Sequence, residues 1–359
     1  MSSSQLDILA LEPFFGGGRR AMLETIMRYS RHRWTLLRLP PRRIDRRLAA
    51  AAHWFSEQLS RHWFGRVDIL FTSEAMNLAD LLRMVPDLGG KPSVVYFHDN
   101  QLPAEGMRAE SPLHLVNLTT ANAASEIWFN SIYHLKTFLR KATALVEGHP
   151  ELSARNPLPE LTGKAHLMPP PVDLTLDHDV LQQEEIKRDP RVLFVDTRDA
   201  DLRTLNFALG VLERRGEKVT LVTIGPVVGL ECRGPRITIA EQDEIAQIRA
   251  LHQAGVMLST RPHAPSDYHA VRALNAGCWP IFPDSGVYPE LLPEAMHHAC
   301  LYETGSGDRL ATQIQNTWLT EPPAGYEREL SHILARFNAL EACHAMDERL
   351  EQIARPAGG

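Results

Sequence analysis

The 359-residue sequence predicts an α/β protein built from two doubly wound, Rossmann-like parallel-sheet domains facing each other across a cleft. Three observations carry that reading. Short apolar runs alternate with segments of helical period, the rhythm of successive βαβ units. The length suits about two domains, each large enough for its own core. Midway, the consecutive prolines Pro169 to Pro171 interrupt the rhythm. Proline fixes φ and removes an amide donor, so this run reads as a stiff hinge. A cleft beside such a hinge is the default place for a ligand.

In the first domain (1–172) the apolar runs predict strands at Leu6–Leu11, Trp34–Leu39, Val67–Thr72, Ser93–His98, Glu126–Asn130 and Ala165–Met168. Helical patterns fall between them at Arg20–Tyr29, Arg43–Arg61, Asn77–Met84, Leu113–Ala124 and Tyr133–Leu145. A charged stretch follows and reads as a linker over 173–190. The alternation restarts in a second domain (191–325), with strands at Val192–Asp196, Val219–Gly225, Arg236–Ala240, Val256–Thr260, Trp279–Pro283 and Ala299–Tyr302. Its helices are expected at Leu202–Arg214, Glu241–Gln253 and Tyr268–Ala276, and a helical tail (326–359) ends the chain.

Composition narrows the class. Hydrophobic residues make up 44% and charged residues 23%, ordinary for a globular protein in water. No apolar run reaches membrane-spanning length, and no secretory pattern is read at the N-terminus. The four cysteines are scattered without a CxxC pair. Together these point to a reduced, cytoplasmic protein with no structural metal and no membrane partner. The net charge of −6 hides an uneven distribution, because Arg19 to Arg66 holds twelve arginines against three acids. Trp34, Trp54 and Trp63 lie in the same stretch. A basic lobe with interleaved aromatics suits RNA, while its alternative is a solvated arginine-rich face.

Two stretches carry candidate chemistry. "LEPFFGGGRRAMLE" places Gly16, Gly17, Gly18, Arg19 and Arg20 where a strand becomes a helix. Glycines there let backbone N–H groups approach an anion, or simply make a tight turn. "SVVYFHDN" stays apolar until His98, Asp99 and Asn100, at the carboxyl end of a strand, where ligands gather in doubly wound sheets.

"LEPFFGGG", "FTSEAMNLADLL", "YFHDNQL", "FNSIYH" and "GCWPIFPDSGVYPELLP" occur in this order. In them the sequence resembles the tRNA-queuosine mannosyltransferase family, retaining glycosyltransferases of GT-B fold. The resemblance implies transfer of mannose from GDP-mannose to queuosine in the anticodon of tRNA-Asp, with no metal and no cofactor beyond the nucleotide sugar. It further implies catalytic roles for His98, Asp99 and Arg198. Arg198 and Arg203 would hold the donor diphosphate, with Gly16, Gly17 and Gly18 beneath it. Ser285, Gly286 and Val287 would form a turn near the nucleotide. On the acceptor side stand Asn100, Asn130 and Ser131, the last two alternatively capping the next helix. Arg42, Arg43, Arg46 and Arg47 would meet tRNA phosphates.

One departure stands out. The family pattern carries two glutamates, one near the transferred sugar and one on the nucleotide ribose. Here "RPHAPSDYHAVRALNAGCWP" holds Ala264 and Arg272 in those places, while His263 is kept. Asp267 is then a candidate stand-in for an acid, and Arg272 a candidate phosphate ligand. The sequence therefore also admits a glycosyltransferase with another acceptor, or a non-catalytic RNA-binding member.

Overall fold

The computed structural model describes residues 5–62, 65–103, 111–149, 157–319 and 324–355. They form two compact units, Met1–Pro171 with Ala339–Gly359, and Val172–Asn338. The strands of the first are β1 (Asp7–Glu12), β2 (Arg33–Arg38), β3 (Ile69–Ser73), β4 (Ser93–Phe97), β5 (Glu126–Phe129) and β6 (Ala165–Leu167). They pair in parallel in the order β2-β1-β3-β4-β5-β6. Successive side chains on a strand point to opposite faces, so a strand covered on both faces must be apolar throughout. Leu9, Leu11, Leu70, Val95 and Phe97 enter one core. Their neighbours Ile8, Ile69, Phe71, Val94 and Tyr96 enter the other.

The second unit repeats the plan with β7 (Asp189–Asp196), β8 (Thr220–Ile224), β9 (Arg236–Ile239), β10 (Ala254–Leu258), β11 (Trp279–Pro283) and β12 (Leu301–Tyr302). Its order is β12-β11-β10-β7-β8-β9. Val192 and Phe194 pack on one face of β7, and Leu193 and Val195 on the other. In each sheet the strand order reverses once, between β1 and β3 and between β7 and β10. Beyond the carboxyl ends of those pairs the connecting helices leave toward opposite faces, opening a place for ligands.

Two expectations about the ends of the second domain change. Within 173–190, read as a linker, Thr175–Gln183 is a helix whose Asp177 and Val180 are buried. The charge of Asp177 is neutralised internally, which made an ion-paired helix look like solvated chain. The tail is two helices rather than one. Tyr326–Ala335 stays with the second unit, whereas Ala339–Ala354 returns to the first. There Cys343, Met346 and Leu350 complete a core. Trp34 and Trp54 pack edge-on against Phe71 and Phe55, so these tryptophans support the fold; Trp63 lies outside the described residues.

The returning helix is fastened by Asp347, wholly buried, which accepts from Ser30 Oγ at 2.6 Å and the Arg31 N–H at 2.9 Å. Asp347→Ala strands both donors and is expected to cost roughly 1–3 kcal/mol. Urea unfolding should show this as a lowered midpoint for the first unit; an unchanged midpoint would contradict the fastening role.

Candidate active site

The β1/β3 ends bring two buried carboxylates together. Glu12, the last residue of β1, accepts from the Phe14 N–H at 2.7 Å and from Ser73 Oγ at 3.0 Å. Glu74, directly after β3 and fully buried, takes both terminal nitrogens of Arg19, one at 3.0 Å. It also accepts the backbone N–H groups of His98 at 3.1 Å and Asp99 at 3.2 Å, beyond the end of β4. Arg19 therefore neutralises an internal acid, and Arg20 pairs with Glu24 on the helix surface. Neither leaves its positive charge free at the glycine turn. Burial, opposed first by Arg19, pushes the Glu12 carboxyl up to about 7.

The glycine loop has steric reasons of its own. A Cβ on Gly16 would lie 2.5 Å from Pro41 Cγ, and Gly17 adopts a φ of +52° as the helix Gly17–Tyr29 begins. Pro41 belongs to the arginine loop after β2. Two backbone bonds join that loop to the glycine loop, Leu39 N–H to the Glu12 carbonyl and Phe15 N–H to the Leu39 carbonyl, both at 2.9 Å.

His98 is held neutral, its pKa driven well below the ordinary value by burial and then by Arg19. Its Nε2 is buried and has no partner among the described residues. Asp99 is exposed and accepts the Asn100 N–H at 2.7 Å, while Asn100 Oδ1 receives Lys141 Nζ at 3.4 Å. Asn130 is buried and acts as a strut, donating to the His98 carbonyl at 2.9 Å and meeting His134 Nδ1 at 3.0 Å. Ser131 caps the helix Ile132–Glu147 by accepting the His134 N–H. Both residues thus serve the loop and helix start rather than presenting a surface to an acceptor.

The arginine-rich stretch divides sharply. Arg19, Arg20, Arg31, Arg33, Arg61 and Arg66 are ion-paired. Arg38 lies over the Phe15 ring, and Arg47 donates to the Pro40 carbonyl. Arg42, Arg43 and Arg46 are exposed and form no ion pair or side-chain hydrogen bond with the described residues. The unspent charge is concentrated in the loop after β2 and the first turn of the helix Ile44–Arg61 that follows it.

At the β7/β10 ends, Arg198 is clamped to Asp196, with Nε to Oδ1 at 2.9 Å and Nη2 to Oδ2 at 2.5 Å. Arg203, in the first turn of the helix Leu202–Arg214, leaves its side chain 98% exposed. Beyond β10 lie Thr260 and Arg261, with the Arg261 guanidinium 3.6 Å from Asp267. Asp267 is committed: it caps the helix Tyr268–Asn275 through the Ala270 N–H at 2.9 Å and accepts Tyr288 OH at 2.9 Å. It is a structural acid, with no carboxylate edge to replace the motif glutamates. His269 sits 3.9 Å from Asp196 and is held neutral by burial, its pKa lowered to about 4.

Arg272 is buried against Asp177 at 2.6 Å, with Glu244 at 3.4 Å, so it is a buried ion pair and not a phosphate ligand. Ala264 is buried beneath the 285–287 turn. A Cβ on Gly286 (φ +67°) would lie 2.8 Å from the Ala264 carbonyl oxygen, which already accepts the Val287 N–H. The Ser285 N–H is bonded to Pro283. Two of the three amides expected to meet phosphate are therefore spent on the turn. His263 is exposed with a φ of +67°.

Sequence reading missed Glu12, Glu74, Arg261 and His269. The first two stood inside "LEPFFGGG" and "FTSEAMNLADLL", and the signal was available: an acid directly ending an apolar strand run. Glu12→Gln keeps the oxygen acceptor and removes the titration. A carboxyl whose folded pKa is raised binds its proton more tightly in the folded state, so its stabilisation is full below about 4.5 and lost as pH rises through about 7. Relative to the parent, Glu12→Gln is expected to flatten the decline of stability over that window, by on the order of 3 kcal/mol. Parallel stability profiles for the two proteins would contradict the assignment.

The comparisons agree with this architecture. Residues 7–172 match the family model described as tRNA-queuosine alpha-mannosyltransferase N-terminal. A Drosophila melanogaster protein named tRNA-queuosine alpha-mannosyltransferase is 22% identical over 365 residues, covering 94% of this chain and 93% of that protein. Among solved structures, a glycosyltransferase from Rickettsia africae superimposes with a TM-score of 0.65 at 11% identity, covering 98% of this chain and all of that one. Anabaena HepE in complex with UDP-glucose gives 0.62 at 16% identity, covering 97% of this chain and all of that one. The fold is GT-B, and residues 7–172 are similar to the N-terminal part of the tRNA-queuosine alpha-mannosyltransferases.

Proposed function

We propose that this protein is a metal-independent, retaining hexosyltransferase that moves mannose from GDP-mannose onto the queuosine-type nucleoside of a tRNA, tRNA-Asp among them, in the cytoplasm. The single observation that carries the reading is the switch-point cluster of Glu12, Glu74, Arg19 and His98, with the segment bearing the exposed Arg42, Arg43 and Arg46 tied to it by backbone bonds. It lies in the unit that matches the family, and the Drosophila relative bears that name.

In this reading the first unit handles the acceptor nucleoside and the second the nucleotide sugar. Neutral His98 offers Nε2 to a sugar or acceptor hydroxyl, a hydrogen bond that needs no titration at neutral pH. As the sugar leaves, charge builds on the diphosphate, and preorganised guanidinium groups stabilise it. Exposed Arg42, Arg43 and Arg46, with Arg47 behind them, meet RNA phosphates.

A non-catalytic RNA-binding role is favoured by one observation, the absence of both motif glutamates at Ala264 and Arg272. Mass spectrometry of tRNA nucleosides from cells with and without the gene separates the readings: loss of a hexosyl nucleoside is expected, and an unchanged nucleoside profile would contradict transfer. The RNA surface has its own check. If Arg42, Arg43, Arg46 and Arg47 are all changed to glutamine, tRNA binding should weaken, and its log–log salt slope should flatten by roughly 0.7–0.9 for each lost contact. An unchanged affinity and slope would make the loop a solvated face.

A further inference from the structure

We infer that Arg261, acting beside Arg198, is a principal ligand of the donor's diphosphate, and that Thr260 contributes its hydroxyl to the same anion. The inference rests on the reading above only for the identity of the anion as part of a nucleotide sugar.

The placement follows from register. Strands β7 and β10 run in parallel with Val195 opposite Leu258. Three residues further along each strand stand Arg198 and Arg261, at the point where the strand order reverses. The two loops are tied by a backbone bond from the Asp201 N–H to the Thr260 carbonyl at 2.9 Å. The helix Leu202–Arg214 begins at the same edge, so its amide dipoles add positive potential there.

The site is chemically incomplete in the protein alone. None of the Arg261 side-chain N–H groups makes a hydrogen bond with the described residues, and its Nε is buried without a partner. Its contact with Asp267, at 3.6 Å, is too long for a hydrogen bond, and that carboxylate is already occupied by Ala270 and Tyr288. Thr260, 1% exposed, leaves Oγ1 unpartnered, and His269, 7% exposed, leaves Nδ1 unpartnered. Buried polar groups without partners are costly, and they collect here around two guanidinium groups. An anion with several oxygens satisfies them at once; an arginine fork suits a phosphate.

The same geometry excludes Arg272. It is turned into the pair with Asp177 on the helix Thr175–Gln183, and so supplies neither a ribose carboxylate nor a phosphate cation. Recognition of the donor therefore leans on the diphosphate more than on the ribose. Inorganic pyrophosphate is then expected to retain much of the affinity of GDP.

Calorimetry on the full chain with GDP and with pyrophosphate tests this. Arg261→Gln should weaken both ligands by a similar factor, roughly ten- to a hundredfold. Arg233→Gln, an exposed arginine elsewhere on the unit, should leave both unchanged. Should Arg261→Gln fail to fold, Thr260→Val decides. Removing an unpartnered buried hydroxyl should not lower thermal stability, yet pyrophosphate should bind several-fold more weakly. Parent-like affinity in either folded variant overturns the inference. A parent that binds both ligands through Arg261 but transfers no hexose upholds this site while overturning the proposed function. Hexose transfer undiminished in Arg261→Gln overturns this site and leaves the function standing.

Discussion

The buried carboxylate of Glu74 is the constraint on which the first unit's functional edge depends. It follows β3 at the point of strand-order reversal, and it gathers Arg19 from the first helix with the amides of His98 and Asp99 after β4. A buried charge is tolerable only when paired and hydrogen-bonded, so each of these contacts is needed to keep the acid there. The consequence is geometric. The start of the first helix, the end of β3 and the loop carrying His98 are fixed to one another by a single side chain. Glu12 lies against this arrangement with less compensation, which is why its proton persists toward neutral pH.

A second constraint is mechanical. Gly16 admits Pro41 at a distance no side chain would permit, and Leu39 bonds to both Glu12 and Phe15. The arginine loop is thereby carried on the same backbone frame as the carboxylates. Charge that reads along the sequence as a broad basic lobe is reduced by ion pairing to a short segment at the functional edge. In the second unit, pairing works the other way. Arg272 and Asp177 consume each other in the interior, and free guanidinium donors remain at Arg261. A buried pair of this kind adds little net stability, but removing one partner leaves the other charge stranded, so Arg272 and Asp177 depend on each other.

Much of the fold was legible because strands buried on both faces must be apolar without interruption. The runs at Val67–Thr72 and Val192–Asp196 could be read directly, and they overlap β3 and β7. The site was legible in location more than in detail. Strand ends and glycine turns announce themselves locally, as at His98 and Gly16. Pairing does not, because the partners are far apart in sequence: Arg19 meets Glu74, and Arg272 meets Asp177. That is why Arg19 read as part of a basic lobe, Arg272 as a candidate phosphate ligand and the helix Thr175–Gln183 as linker. Ser131 was read correctly as a possible cap, since an N-cap serine is a local signal.

The proposed acceptor site for glycosyl transfer stands or falls with the Glu74 cluster. Its most direct measurement is the initial rate of hexose incorporation into purified queuosine-containing tRNA from radiolabelled GDP-mannose, comparing the parent with Glu74→Gln. The amide would leave Arg19 buried without its counter-charge and loosen the His98 loop. Measurable transfer by the parent is expected, with a loss of about a hundredfold or more in the variant and tRNA affinity largely kept. No transfer by the parent, or an undiminished rate in a folded Glu74→Gln protein, would contradict it.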